Sequence, residues 1–111
     1  MSKAPMDETT YYRHAEAAFR RVEAALEAFD ADEVDFDRAG DVLRVTFRNG
    51  GKCVLNTQRP TRQLWLAADA HAWHYSLDAG GAWRDDHGDD VDLFARVAEI
   101  VGRHVGRPTA V

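Results

Sequence analysis

The chain has 111 residues, 45% of them hydrophobic, and a formal net charge of −5. That length and hydrophobicity suit one folded domain with a modest core and exclude a disordered chain. No apolar run approaches the ~20 residues of a membrane span, and the single cysteine, Cys53, excludes an internal disulfide or a cysteine-rich metal site within one chain.

The opening MSKAPMDETT has no apolar stretch of the kind a secretory signal needs, so a cytoplasmic protein is expected. Asp7 or Thr9 is a candidate N-cap for a first helix. Tyr12, Ala15, Phe19, Val22, Leu26 and Phe29 then follow at alternating steps of three and four, the stripe of an amphipathic helix. Glu16, Arg20, Glu23, Glu27 and Asp30 run down a second face at the same spacing. The period changes to two at residues 33–37, where Val34 and Phe36 alternate with Glu33, Asp35 and Asp37 in a half-buried strand. Residues 38–41 make a turn, and Leu43, Val45 and Phe47 alternate with Arg44, Thr46 and Arg48 in the next strand. Asn49-Gly50 predicts a two-residue hairpin with positive φ at both positions, returning through 52–56 with Cys53 and Leu55 on one face.

Residues 57–62 contain Pro60 and are expected to be a loop. A strand at 63–67 sends Leu64 and Leu66 to one side and Gln63 and Trp65 to the other. Residues 73–77 alternate again, Ala79-Gly80-Gly81 is a turn, and Trp83 starts a short last strand. Asp89 or Asp90 can cap a second helix whose apolar positions are Leu93, Phe94, Val97, Ile100 and Val101, ended by Gly106 and Pro108. The expected fold is α+β: a two-layer α/β sandwich, with two helices packed on one face of a five- or six-stranded antiparallel sheet. One domain spans 1–111, with residues 1–6 and 107–111 as loose termini.

Residues 1–40 hold ten acids and five bases, and residues 41–111 hold nine of each, so the net charge falls entirely in the first 40 positions. Glu23, Glu27, Asp30, Asp32, Glu33, Asp35 and Asp37 lie in one run with no base among them. Such a run repels nucleic acid and anionic membranes and attracts cations or basic protein surfaces. Like charges side by side cost stability, and carboxylate oxygens are hard ligands for Mg²⁺, Ca²⁺, Mn²⁺ and iron ions. The spacing leaves open whether this is a metal-binding surface or a solvated acidic face. It excludes an EF-hand, and with no His or Cys among the acids any metal site is shallow, exposed and weak.

If Leu64 and Leu66 enter the core, Trp65 stands largely exposed on the open sheet face with Asn56, Gln58 and Gln63 nearby, and an exposed Trp suits a protein interface. The reverse orientation makes Trp65 core. His14, His71, His74, His87 and His104 show no ligand spacing, although His74 could touch a metal or partner on the open face. Cys53 reads as a small apolar strand residue. The aromatics have no basic groove beside them and form no nucleic-acid platform.

Four of these features together resemble the frataxin family in its bacterial, CyaY-type form. They are the order helix, strands, helix; the acidic run; the hairpin Val42-Leu-Arg-Val-Thr-Phe-Arg-Asn-Gly-Gly-Lys52; and, most specifically, Asn56-Thr-Gln58-Arg-Pro60-Thr-Arg-Gln63-Leu-Trp65-Leu66-Ala67. The last is similar to the family pattern N-x-Q-x-P-x-x-Q-[ILV]-W-[LIV]-[AS]. The resemblance covers about residues 9–105. It implies a non-enzymatic iron-binding adaptor that takes Fe²⁺ and Fe³⁺ weakly and regulates iron–sulfur cluster assembly. By position, Glu23, Glu27, Asp30, Asp32, Glu33, Asp35 and Asp37 would hold iron and face a basic surface of the cysteine desulfurase. Asn56, Gln58, Gln63 and Trp65 would bind the complex of that desulfurase with the iron–sulfur scaffold protein. The implied state is a monomer, with iron-driven oligomerisation left open. Ala24 and Ala28 stand where relatives often carry further acids, which implies fewer or weaker iron sites. Two other readings stay in view. One is a pure interaction module whose metal binding is incidental. The other is a ferroxidase, which would need the paired Glu and E-x-x-H ligands that this chain lacks.

Overall fold

A computed structural model describes residues 7–111. The expectation for residues 1–6 lies outside the described residues. The first helix, α1, runs Glu8–Leu26 and is N-capped by Asp7, whose Oδ1 accepts the Thr10 amide at 2.7 Å. Its buried line is Tyr11, Ala15, Ala18, Phe19, Val22 and Leu26. This corrects the expected stripe at both ends. Tyr11 rather than Tyr12 is the fully buried tyrosine, because steps of 4, 3 and 4 from residue 11 stay on the core line through Ala15, Ala18 and Val22, with Tyr12 on its flank. The Tyr11 hydroxyl is satisfied by donating to the Gln63 carbonyl at 2.6 Å. Phe29 lies beyond the helix and is only partly buried, because the chain tightens at Ala28 and Phe29 into bonds to Ala25 and Leu26.

The Asp30 carbonyl accepts the amides of Glu33 and Val34 at 2.9 and 3.0 Å, and this turn launches the sheet. Its strands are β1 Val34–Ala39, β2 Val42–Phe47, β3 Lys52–Gln58, β4 Gln63–Ala68, β5 His71–Leu77 and β6 Trp83–Asp85. They form one antiparallel meander in chain order, so β1 and β6 are the edges. The open choice between five and six strands resolves to six. The second helix, α2, is Leu93–Val105. Asp92 caps it, with Oδ1 accepting the Ala95 amide at 2.8 Å, so neither Asp89 nor Asp90 is the cap. Gly106, in the left-handed region at φ +79, ends it.

Period-two alternation assigns the faces. Val34, Leu43, Val45, Phe47, Cys53, Leu55, Leu64, Leu66, Tyr75 and Trp83 are buried, and they join the stripes of both helices in one core. The outward residues between them are exposed or half-buried. Cys53 is buried on this inner face, and burial pushes its thiol pKa up to about 12, as suits an apolar strand residue. Among the described residues no helix is long and apolar enough to cross a membrane.

Three turns differ from expectation. The turn expected at 38–41 is only Gly40 and Asp41, because Arg38 and Ala39 stay paired in β1 with Leu43 and Val42. Within the β2–β3 hairpin Gly50 alone has positive φ, and Phe47 pairs with Gly51 across Arg48, Asn49 and Gly50. The hairpin loop is therefore three residues with a left-handed glycine at its end, not a two-residue turn with Asn49 at positive φ. The 57–62 segment is shorter as a loop than predicted: β3 continues to Gln58, and Arg59–Thr61 forms a single 3₁₀ turn around Pro60. Residues 107–111, expected to be loose, make defined contacts. Arg107 pairs with Glu33, and the Val111 carbonyl accepts from Arg21 at 3.0 Å.

Candidate functional site

The acidic run occupies the junction of α1 with the edge strand β1. Glu23 stands on α1, and Glu27 is the residue that caps its C-terminus. Asp30, Asp32 and Glu33 lie in the connection, and Asp35 and Asp37 point outward from β1. Three of the seven carboxylates have a cationic partner from outside the run. Arg38, on the inward side of β1, reaches back to α1. Its Nη1 and Nη2 donate to Glu16 at 3.0 and 2.6 Å, and its Nε stands 3.4 Å from Glu23. Its guanidinium also lies 5.0 Å over the Phe19 ring. The hydrogen bonds from Arg38 hold the Glu16 carboxyl down to about 2 against its ordinary 4.5. Arg48 from the β2–β3 hairpin stands 3.3 Å from Asp32. Arg107 forks onto Glu33 and holds its carboxyl below the usual range.

Glu27, Asp30, Asp35 and Asp37 are exposed and have no ion-pair partner among the described residues. The seven acids thus share one edge, but they are not equivalent. Among the described residues no three His, Cys, Asp or Glu side chains converge on a common point. Any cation here would be met by exposed carboxylate oxygens that must move toward it, a donor set suited to a hard ion held weakly.

The second candidate surface lies on the open face of the sheet. Asn56 sits opposite Trp65, and Gln58 opposite Gln63, in the β3–β4 ladder. The four residues chosen from sequence are therefore one contiguous patch across two strands. Leu64 and Leu66 are 0% and 1% exposed, so the faces fall as expected and Trp65 points outward. Trp65 is nonetheless half-buried rather than largely exposed. The His74 ring, its neighbour in β5, stacks on the indole at 4.1 Å and 16°. The indole Nε1–H donates to Gln63 Oε1 at 3.0 Å. The Nε2 of Gln63 in turn donates to Ser76 Oγ at 3.1 Å and to both oxygens of Asp86 at 2.9 and 3.0 Å.

Ser76 and Asp86 are the members of this patch that sequence reasoning missed. The alternation that places Trp65 and His74 outward also places Ser76 outward. Asp86 follows β6 with no local signal, and only the sheet register brings it beside Gln63.

A family model for the frataxin-like domain matches residues 4–107. An iron–sulfur cluster assembly protein CyaY of Burkholderia mallei is 39% identical over 108 residues, covering 95% of this chain and 97% of that protein. Its namesake in Paraburkholderia phymatum is 32% identical over 106 residues, covering 96% and 98%. A solved frataxin from Psychromonas ingrahamii, of the CyaY protein family, superposes with a TM-score of 0.82 at 25% identity, covering 95% of this chain and 97% of that one.

Proposed function

The chain belongs to the frataxin-like family, and on that premise we propose that it is a non-catalytic adaptor of iron–sulfur cluster assembly, working in the cytoplasm. Relatives that match almost end to end carry the name iron–sulfur cluster assembly protein. In this reading iron is cargo. Fe²⁺ or Fe³⁺ is taken weakly and reversibly on the acidic edge, and the same edge faces a basic surface of the cysteine desulfurase. The patch of Asn56, Gln58, Gln63 and Trp65 docks on the complex of desulfurase with scaffold.

The observation that carries the reading is the set of exposed, unpaired carboxylates from the end of α1 to the edge strand β1. Glu27, Asp30, Asp35 and Asp37 lie where hydrogen bonding to the fold does not demand them. Hard oxygen donors with no thiol or imidazole among them fit iron ions held loosely. Long-range attraction from such an edge steers a basic partner.

A second reading has its own support: an interaction module whose iron binding is incidental. No three ligand groups converge among the described residues, and three of the seven acids already have arginine partners. NMR titration of the labelled chain with Fe²⁺, and separately with purified desulfurase, tests both. The first reading expects both additions to perturb amides within residues 23–37. Shifts confined to the histidines, or none, would remove it. Perturbation by the desulfurase alone would favour the interaction module.

A further inference from the structure

We infer that Asp86 is a positioning residue for the open-face patch: it fixes Gln63 so that the Trp65 indole is held in one orientation against His74. The inference rests on the reading that this patch docks on the assembly complex. A half-exposed tryptophan on a sheet has free rotamers to lose when a partner binds, and ordering it then weakens binding. Here the indole is ordered in advance by two contacts, the bond to Gln63 Oε1 and the stack with His74.

Neither contact defines itself. A glutamine amide can turn over and exchange its oxygen for its nitrogen. Turned over, Gln63 would offer N–H to the indole N–H, two donors face to face. Asp86 decides the orientation. Its carboxylate only accepts, and both of its oxygens take a bond from Gln63 Nε2, leaving Oε1 toward Trp65. Ser76 fits the same arrangement, accepting from Gln63 Nε2 at 3.1 Å while its hydroxyl lies 3.5 Å from Asp86 Oδ1. The other Asp86 oxygen stands 3.9 Å from His74 Nδ1, on the ring that stacks against Trp65. Asp86 is itself pinned, since its amide donates to the His74 carbonyl at 2.9 Å. One carboxylate therefore holds Gln63 by hydrogen bonds and lies beside His74, the other neighbour of the indole.

The test uses the ¹⁵N-labelled full chain, with the Trp65 indole signal assigned by Trp65→Phe, and affinity for the purified desulfurase–scaffold complex. Asp86→Ala should move or broaden the Trp65 indole signal, leave those of Trp73 and Trp83 in place, and weaken binding about three- to tenfold. Asp86→Asn keeps one acceptor oxygen and should fall between wild type and Asp86→Ala. Asp90→Asn removes the same charge nearby and should change neither readout. An unmoved Trp65 signal in Asp86→Ala, or equal effects of Asp90→Asn, overturns the proposal. If Trp65→Ala loses binding while Asp86→Ala keeps it, the proposal alone fails. If Trp65→Ala binds as wild type does, the docking reading fails and takes the proposal with it.

Discussion

Arg107 and Glu33, 74 residues apart in sequence, meet in a two-pronged ion pair at 2.7 and 2.9 Å. The guanidinium lies 5.2 Å over the Phe29 ring, so the segment after α2 is fastened to the acidic edge by both charge and an aromatic face. A cation that uses Glu33 must therefore share or displace Arg107. Arg107→Gln should raise Fe²⁺ affinity about two- to fivefold, the range that one screened surface charge contributes. Anaerobic calorimetric titration reads this directly. Unchanged affinity would mean that Glu33 lies outside the iron surface.

Charge reversal separates the two uses of the edge. In the combined variant Asp30→Lys, Asp32→Lys, Asp35→Lys, two unpaired carboxylates and the partner of Arg48 change sign together. Loss of both iron and desulfurase binding is the outcome expected of an adaptor that uses one surface for both, with binding falling more than tenfold as repulsion replaces attraction. All three positions are exposed, so folding should survive, which circular dichroism can check. Desulfurase binding that persists while iron binding vanishes would make the two uses separable.

Acid stability should depend on Glu16. Its pKa lies near 2 in the fold against an ordinary 4.5, chiefly through hydrogen bonds from Arg38. A depressed carboxyl pKa gives stability that is fully present above the unfolded value and is lost as pH falls toward the folded one. The relevant window is thus from about 4.5 down to about 2. Glu16 is 44% exposed, so screening reduces its contribution to about 1 kcal/mol. Glu16→Gln should be less stable than wild type at pH 7, and the gap should narrow through that window in acid denaturation curves. Parallel curves would show that the Arg38 pair contributes nothing to stability.

The order of elements and the faces of the strands were readable from sequence because hydrophobic periodicity is local. Leu64 and Leu66 alternate with Trp65, and that alone decides which side is core. The turn at Asp69 and Ala70 escaped because Asp69 alone is a usual turn residue, and Ala70 stands at a left-handed position that usually takes glycine or asparagine. The partners of the acidic run escaped for another reason. Arg48 and Arg107 reach Asp32 and Glu33 only after the chain has folded back, so a base-free stretch of sequence became a partly neutralised surface. Asp86 belongs to the same class: its role exists only in the register of β4, β5 and β6.

The β4–β5 turn offers a test of backbone strain. Asp69 and Ala70 both adopt left-handed backbone, at φ +53 and +64, in a two-residue connection between the paired Ala68 and His71. Each L-residue there costs about 1–2 kcal/mol, least for aspartate, whose short side chain bonds locally. Ala70 is exposed, so a smaller residue loses no packing. Ala70→Gly removes the strain but gives the unfolded chain more freedom, and the balance should stabilise by about 0.5–1 kcal/mol. Asp69 has a further role. Its Oδ1 meets His104 Nε2 at 2.7 Å and its Oδ2 accepts from Arg103 at 2.8 Å, tying the turn to the last turn of α2. Asp69→Ala should therefore destabilise by about 1–3 kcal/mol, through loss of charge-assisted bonds and a second left-handed alanine. Urea titration compares the two, with an unchanged slope marking a pure stability effect. A lowered midpoint in Ala70→Gly would mean that the turn is unstrained.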